Sequence, residues 1–160
     1  MKRTLLALAA AVTVSAAPAQ SATVSLPEAA AQTGQLDTFL SLLRAANLEE
    51  DLGIEGPFTI FAPTDDAFAA MSADELERLM GHEGFAERNA LIHAHIARGA
   101  LTSADIINWD FAARTLDGDV VVVDGRSGSI IVNDGAKVVA GDIEAANGVI
   151  HVIDRVLTAG

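Results

Sequence analysis

Apolar positions follow two rhythms along this chain, mainly helical over the first hundred residues and strand-like after that. Leu36, Phe39, Leu40 and Leu43 recur at i, i+3, i+4 and i+7, which predicts an amphipathic helix packed on a core up to about Ala46. Just before it, Ser25 and Glu28 have the spacing of a capping box with Pro27 in the first turn, so a short helix begins there. Asn47 to Leu52 predicts another brief turn of helix ending near Gly53. After the turn residues Gly56-Pro57, Phe58 to Ala62 reads as a strand leading into Thr64, a candidate N-cap. Ser72 and Glu75 repeat the capping pattern ahead of Leu76, Leu79 and Met80, in a helix that stops by Gly81. Leu91 with His95, and Ile92 with Ile96, predict a further helix from Phe85 that ends before Gly99, and Thr102 to Asp105 predicts a small capped turn.

From Thr115 onward the rhythm is that of strands: Val120 to Val123, Ile130 to Val132 and Lys137 to Val139. Asn133-Asp134-Gly135 supplies residues that tolerate the positive φ of a tight hairpin. The last strand follows Asn147-Gly148. Its alternation places Val149, His151, Ile153, Arg155 and Leu157 on one face, and Ile150, Val152, Asp154 and Val156 on the other. Both faces are mostly apolar, which predicts a strand covered on both sides. Helices early and strands late define an α+β domain.

The first residues stand apart from this pattern. Lys2 and Arg3 precede an apolar run from Leu5 to Val14 and a small-residue pattern at Ala17-Pro18-Ala19, the form of a secretory signal peptide over 1–19, with cleavage possible as late as Ala22. That run is too short to span a bilayer. Losing Lys2 and Arg3 takes the formal net charge from −12 to −14, with no basic stripe to meet phosphates or anionic lipid. Nucleic acid binding and membrane insertion are therefore not expected. Cysteine is absent, so the exported fold rests on packing without disulfides, and thiol chemistry and thiolate metal sites are excluded.

Candidate chemistry is sparse. Glu49-Glu50-Asp51 would point in different directions around a helix, as a solvated acidic face does. Asp65 and Asp66 fall in a first helical turn, where the backbone dipole favours carboxylates. His93, His95 and His151 raise a metal hypothesis, since His-x-His on a strand puts two rings on one face. The competing reading is a buried imidazole bonded to backbone. Nucleophile-elbow, phosphate-loop, His-Glu-x-x-His and calcium-loop patterns are all missing. Neither a catalytic residue nor a cofactor is expected.

Two long blocks carry a family resemblance. Thr59-Ile60-Phe61-Ala62-Pro63-Thr64-Asp65-Asp66-Ala67-Phe68 resembles the first signature block of fasciclin-like domains, and Asn147-Gly148-Val149-Ile150-His151-Val152-Ile153-Asp154-Arg155-Val156-Leu157 resembles the second. Leu91 to Ile106, Thr115-Leu116-Asp117-Gly118 and Ile131-Val132-Asn133 resemble segments between them, so a single domain over 24–158 is identified as a member. The resemblance implies a wedge-shaped β-sandwich with helices packed along its edge. It also implies a secreted, periplasmic or extracellular, non-enzymatic module for adhesion or protein contact, whose partner is a surface or matrix protein or a glycan. The chain is expected to be a monomer. The alternative is a carrier of an apolar pigment or lipid, as in some relatives of the fold. The family's Tyr-His adhesion motif corresponds to Ala94-His95, without the tyrosine, and the Asp-Ile pair of integrin-binding members matches Asp142-Ile143 in different flanks. Ala94, His95, Asp142 and Ile143 are thus candidate interaction positions, and Thr64, Asp65, Asn147, Gly148 and His151 are positions of the structural motif.

Overall fold

A computed structural model of the chain describes residues 24–157, except 55 and 134. The predicted leader and its cleavage point, Asp134 of the hairpin and the domain's last residue, Thr158, lie outside the described residues. The element order is α1 (Leu26–Gln32), α2 (Asp37–Ala45), α3 (Glu49–Ile54), β1 (Phe58–Pro63), α4 (Asp65–Ala69), α5 (Ala73–Met80) and α6 (Phe85–Ala94). There follow β2 (Ile96–Arg98), α7 (Ser103–Ile106), β3 (Asp110–Arg114), β4 (Val120–Asp124), β5 (Ile131–Val132), β6 (Ala136–Ala145) and β7 (Gly148–Ile153).

The strands form one sheet in the order β2-β1-β7-β6-β5-β4-β3. Strand β7 runs parallel to β1, with Phe61 opposite His151, and antiparallel to β6. Its six residues are all buried, as the two apolar faces predict. Alternation divides them between two cores. Phe58, Ile60, Ala62, Ile150 and Val152 pack against Leu26, Phe39, Leu42, Leu43 and Ile92 of the helices. Phe61 and Ile153 face the other way, toward Ala113, Val121, Val123 and Val132 of the β3–β5 half of the sheet. Strand β6 belongs to both halves, pairing β5 at Ala136 and Lys137 and β7 from Val138 onward. Helices, the β1–β7 layer and the β3–β5 layer are therefore stacked, and each fully buried Leu or Phe contributes about 1.5–3 kcal/mol of hydrophobic stabilisation.

Local signals agree with the helix starts. Glu28 Oε2 accepts from the Ser25 N–H at 3.0 Å, and Thr64 Oγ1 accepts from the Ala67 N–H at 3.1 Å. The Asp65 carboxylate accepts from the Thr38 N–H at 2.8 Å, locking α4 to α2. One unforeseen element of the core is Arg88, buried and donating to the carbonyls of Leu79, Gly81 and Ala45 at 2.8, 3.1 and 3.1 Å. It satisfies the ends of two helices whose own ladders leave those oxygens unpaired.

Three expectations need correction. The helix from Phe85 stops at Ala94, and Ile96–Arg98 is an edge strand on β1, because sheet pairing of Ile60 with Ile96 overrides the i, i+4 continuation. Strand β3 lies before the predicted start of β structure; Asp110-Phe-Ala-Ala-Arg114 has little apolar alternation and is held by its pairing with β4. The strand expected at Lys137 to Val139 extends to Ala145 through register shifts, one of which contains Asp142 at φ +56°.

Candidate functional site

The chemistry-bearing side chains gather where the two layers meet around β7. His151 projects from the centre of β7 onto the Phe61 ring, 5.8 Å away and nearly parallel to it. Its Nε2 lies 2.6 Å from the carbonyl oxygen of Leu101, which can only accept, so the proton sits on Nε2. Nδ1 is buried without a hydrogen-bond partner among the described residues and faces Gly141, where a Cβ would stand only 3.0 Å from it. Thr59 stiffens the same region: its Oγ1 donates to Gly99 at 2.6 Å and accepts from the Leu101 N–H at 2.9 Å.

His95 caps α6 and is fully buried. Its Nδ1–H donates to the Leu91 carbonyl at 2.6 Å, while Nε2 accepts the Leu157 N–H at 2.8 Å. Both contacts suit the neutral ring. Burial pulls its pKa down to about 4, against an opposing pull from the Leu91 carbonyl. Ala94 is also buried, so neither residue of this pair reaches a surface.

The other candidate pair is divided: Asp142 is exposed and Ile143 partly buried. The Asp142 carboxylate accepts from the Ser103 N–H at 2.6 Å and from the Ser103 hydroxyl, holding the start of α7. Ile143 pairs with Ile150 and packs against the helical core. His93 lies on α6, not on a strand, with Nδ1 2.6 Å from Asp117 Oδ1. Helical spacing sends His93 and His95 in different directions, which removes the shared strand face on which the metal hypothesis depended. Among the described residues, no group of three or more His, Asp or Glu side chains could share an ion.

Asn147 and Gly148 form the joint of the domain. Asn147 Oδ1 accepts from the Leu26 N–H at 3.1 Å, its Nδ2 donates to the Leu52 carbonyl, and its own carbonyl accepts from the Phe58 N–H at 3.0 Å. Thus α1, α3 and β1 meet on one residue. Gly148 lies so close to β1 that a Cβ would fall far inside contact distance of the Phe58 carbonyl.

A serine, an aspartate and a histidine lie in one region, yet Ser103 donates to Asp142, and no hydrogen bond joins a histidine to Ser103 among the described residues. A serine nucleophile needs a base at that hydroxyl. The surface features that sequence rhythm missed are apolar: Trp109, Phe111, Val120 and Val122 are exposed at and beside β3. Trp109 is the one tryptophan of the chain and stands between Asn108 and Asp110, outside every apolar period, which is its only sequence signal. A second feature is a groove of about 400 Å³ lined by Met71, Leu79, Ala90, Leu91 and Leu157, with Glu75, Arg78 and Glu87 completing the lining. Among the described residues, no helix is long and apolar enough to cross a membrane.

Fold and site together define a domain of helices and two sheet layers locked by buried polar contacts. A profile of the fasciclin domain matches residues 34–159, and the chain belongs to the fasciclin-domain family. It is similar to protein sll1483 of Synechocystis, at 38% identity over 89% of this chain and 79% of that protein. Human periostin is 34% identical over 83% of this chain, which spans 16% of periostin. The fold is that of a FAS1 domain pair from the insect cell adhesion molecule Fasciclin I, with a TM-score of 0.75 at 18% identity over 86% of this chain. The chain spans 52% of that pair, about one domain.

Proposed function

We propose that this chain is a secreted, non-enzymatic binding module that contacts a surface or matrix protein, or a glycan, in the periplasm or outside the cell. The observation that carries this reading is the inward commitment of the chemistry: His95, His151, Thr59 and Arg88 are buried and serve the chain itself, and the exposed Asp142 is bonded to Ser103. Membership of a family whose relatives include an insect cell adhesion molecule supports it. On this reading, the buried Ala94 and His95 act on binding only by shaping the surface above them, while Asp142 is itself exposed. Capture from the host's envelope and medium with the immobilised domain tests the proposal. Specific recovery of one protein or glycan is expected; recovery of nothing above a blank matrix sinks it.

A second reading is favoured by the groove beside Leu157. Its apolar lining and its volume of about 400 Å³ suit part of a small apolar ligand. Protein purified from its native host would then carry a pigment or lipid, detectable by absorbance and by mass spectrometry of an organic extract. A ligand-free native preparation that also takes up no apolar probe removes this reading.

A further inference from the structure

We propose that two copies of this chain pair edge to edge through β3, in an antiparallel two-fold arrangement that sets Phe111 opposite Phe111 of the second copy. Strand β3 ends the sheet. The Gly125 N–H donates to the Trp109 carbonyl at 3.0 Å, and the Thr115 N–H to the Asp119 carbonyl at 2.9 Å. Odd-numbered residues therefore turn their backbone groups toward β4, and alternation turns those of Asp110 and Ala112 outward. Beyond Ala112 the edge closes, because β2 meets the chain where Ala97 bridges Thr115.

This short opening selects one register. Antiparallel hydrogen-bonded pairs must join outward-facing residues, so Asp110 pairs with Ala112 of the second copy, and Ala112 with its Asp110. A register centred on Ala112 would require the outward side of Arg114, which β2 crowds. Centred on Phe111, the pairing makes four backbone hydrogen bonds, and Phe111 meets itself in the close, non-hydrogen-bonded position. Trp109, 69% exposed, and Phe111, 42% exposed, then lie on one face of the joint. Aromatic pairs across strands are stabilising at such positions.

The other face supplies the reason for a second copy rather than a foreign strand. There Asp110 lies diagonally across from Arg114 of the second copy, within reach of a long side chain, and the symmetry repeats this contact. Opposite charges at the two ends of one strand complement themselves only in an antiparallel pair. Asp110 is also ion-paired with Arg126 of its own chain, so the joint is locally balanced in a protein of net charge −12. Val120 and Val122, both exposed beside the small Ala112, extend the apolar surface on this face.

Sedimentation equilibrium of the purified protein from about 1 to about 500 micromolar, the range of weak interfaces, should show a monomer converting to dimer. Because the chain has no cysteine, Phe111→Cys introduces a single thiol opposite its own copy, and mild oxidation should yield a covalent dimer. Val139→Cys, on a residue 54% exposed elsewhere, should not. Ala112→Pro deletes an outward donor while sparing the β3–β4 ladder, and should weaken association about tenfold or more and suppress the Phe111→Cys cross-link. A monomer at every concentration, a dimer indifferent to Ala112→Pro, or cross-linking no faster at 111 than at 139 would overturn the proposal. Should Ala112→Pro fail to fold, Phe111→Glu takes its place in the sedimentation arm.

Discussion

His95 and Leu157, 62 residues apart, are joined by a hydrogen bond of 2.8 Å in which the imidazole Nε2 accepts the backbone N–H beyond β7. The acceptor exists only while the ring is neutral, and burial holds the ring neutral by lowering its pKa to about 4. An unfolded histidine titrates near 6.5. Between these values the unfolded chain binds a proton that the native state refuses, so stability falls as pH is lowered from about 6.5 to about 4 and is flat above that window. The loss amounts to about 3 kcal/mol. Urea unfolding across pH 4–7 should show this slope, and His95→Gln should lack it at a lower overall stability.

Gly148 should tolerate no side chain. A Cβ there would drive into the Phe58 carbonyl and part the β1–β7 ladder, so Gly148→Ala should cost about 3 kcal/mol or more. Gly53, in α3, has open space around the Cβ position, and Gly53→Ala should be neutral or stabilising by about 0.5–1 kcal/mol. Midpoints of denaturant unfolding for the two variants distinguish these outcomes.

Much of this was legible in the chain itself. The capping residues Ser25, Thr64 and Ser72 act locally and start helices where their spacing indicates. The two apolar faces of β7 foretold burial on both sides, since alternation is a property of the strand alone. Less legible were β2 and β3, whose identity depends on partners distant in sequence: Ile96 looks helical until Ile60 pairs with it. The candidate pairs Ala94-His95 and Asp142-Ile143 could be located as motifs, but the burial of the first and the exposure of Asp142 depend on how α6 ends and where β6 bulges. The exposure of Trp109 and Phe111 had no periodic signal, because a strand edge differs from a core strand by what is absent beside it.

Gly141 and His151 should be coupled. A methyl group at Gly141 would press on Nδ1 at 3.0 Å, so Gly141→Ala should destabilise by about 1 kcal/mol. Combined with His151→Ala, the same change should cost less, giving a double-mutant coupling above about 0.5 kcal/mol. Additive effects would mean that the two residues do not meet.

Asn147→Ala strands the Leu26 N–H and the Leu52 carbonyl at a part-buried joint. Its expected cost is about 2 kcal/mol, with faster amide exchange at Leu26 as the local sign. Asn147→Asp should keep the Leu26 contact and lose the Leu52 one, and so fall between wild type and the alanine variant.

The central claim is that the motif histidines hold the fold while binding belongs to the surface. Capture from envelope and medium with equal folded amounts of wild-type, His95→Gln and His151→Ala domains tests it most directly. All three baits should recover the same partner in the same yield per folded molecule, with both variants melting at lower temperature. A variant that is fully folded and recovers no partner would place a histidine in the binding site and contradict the claim.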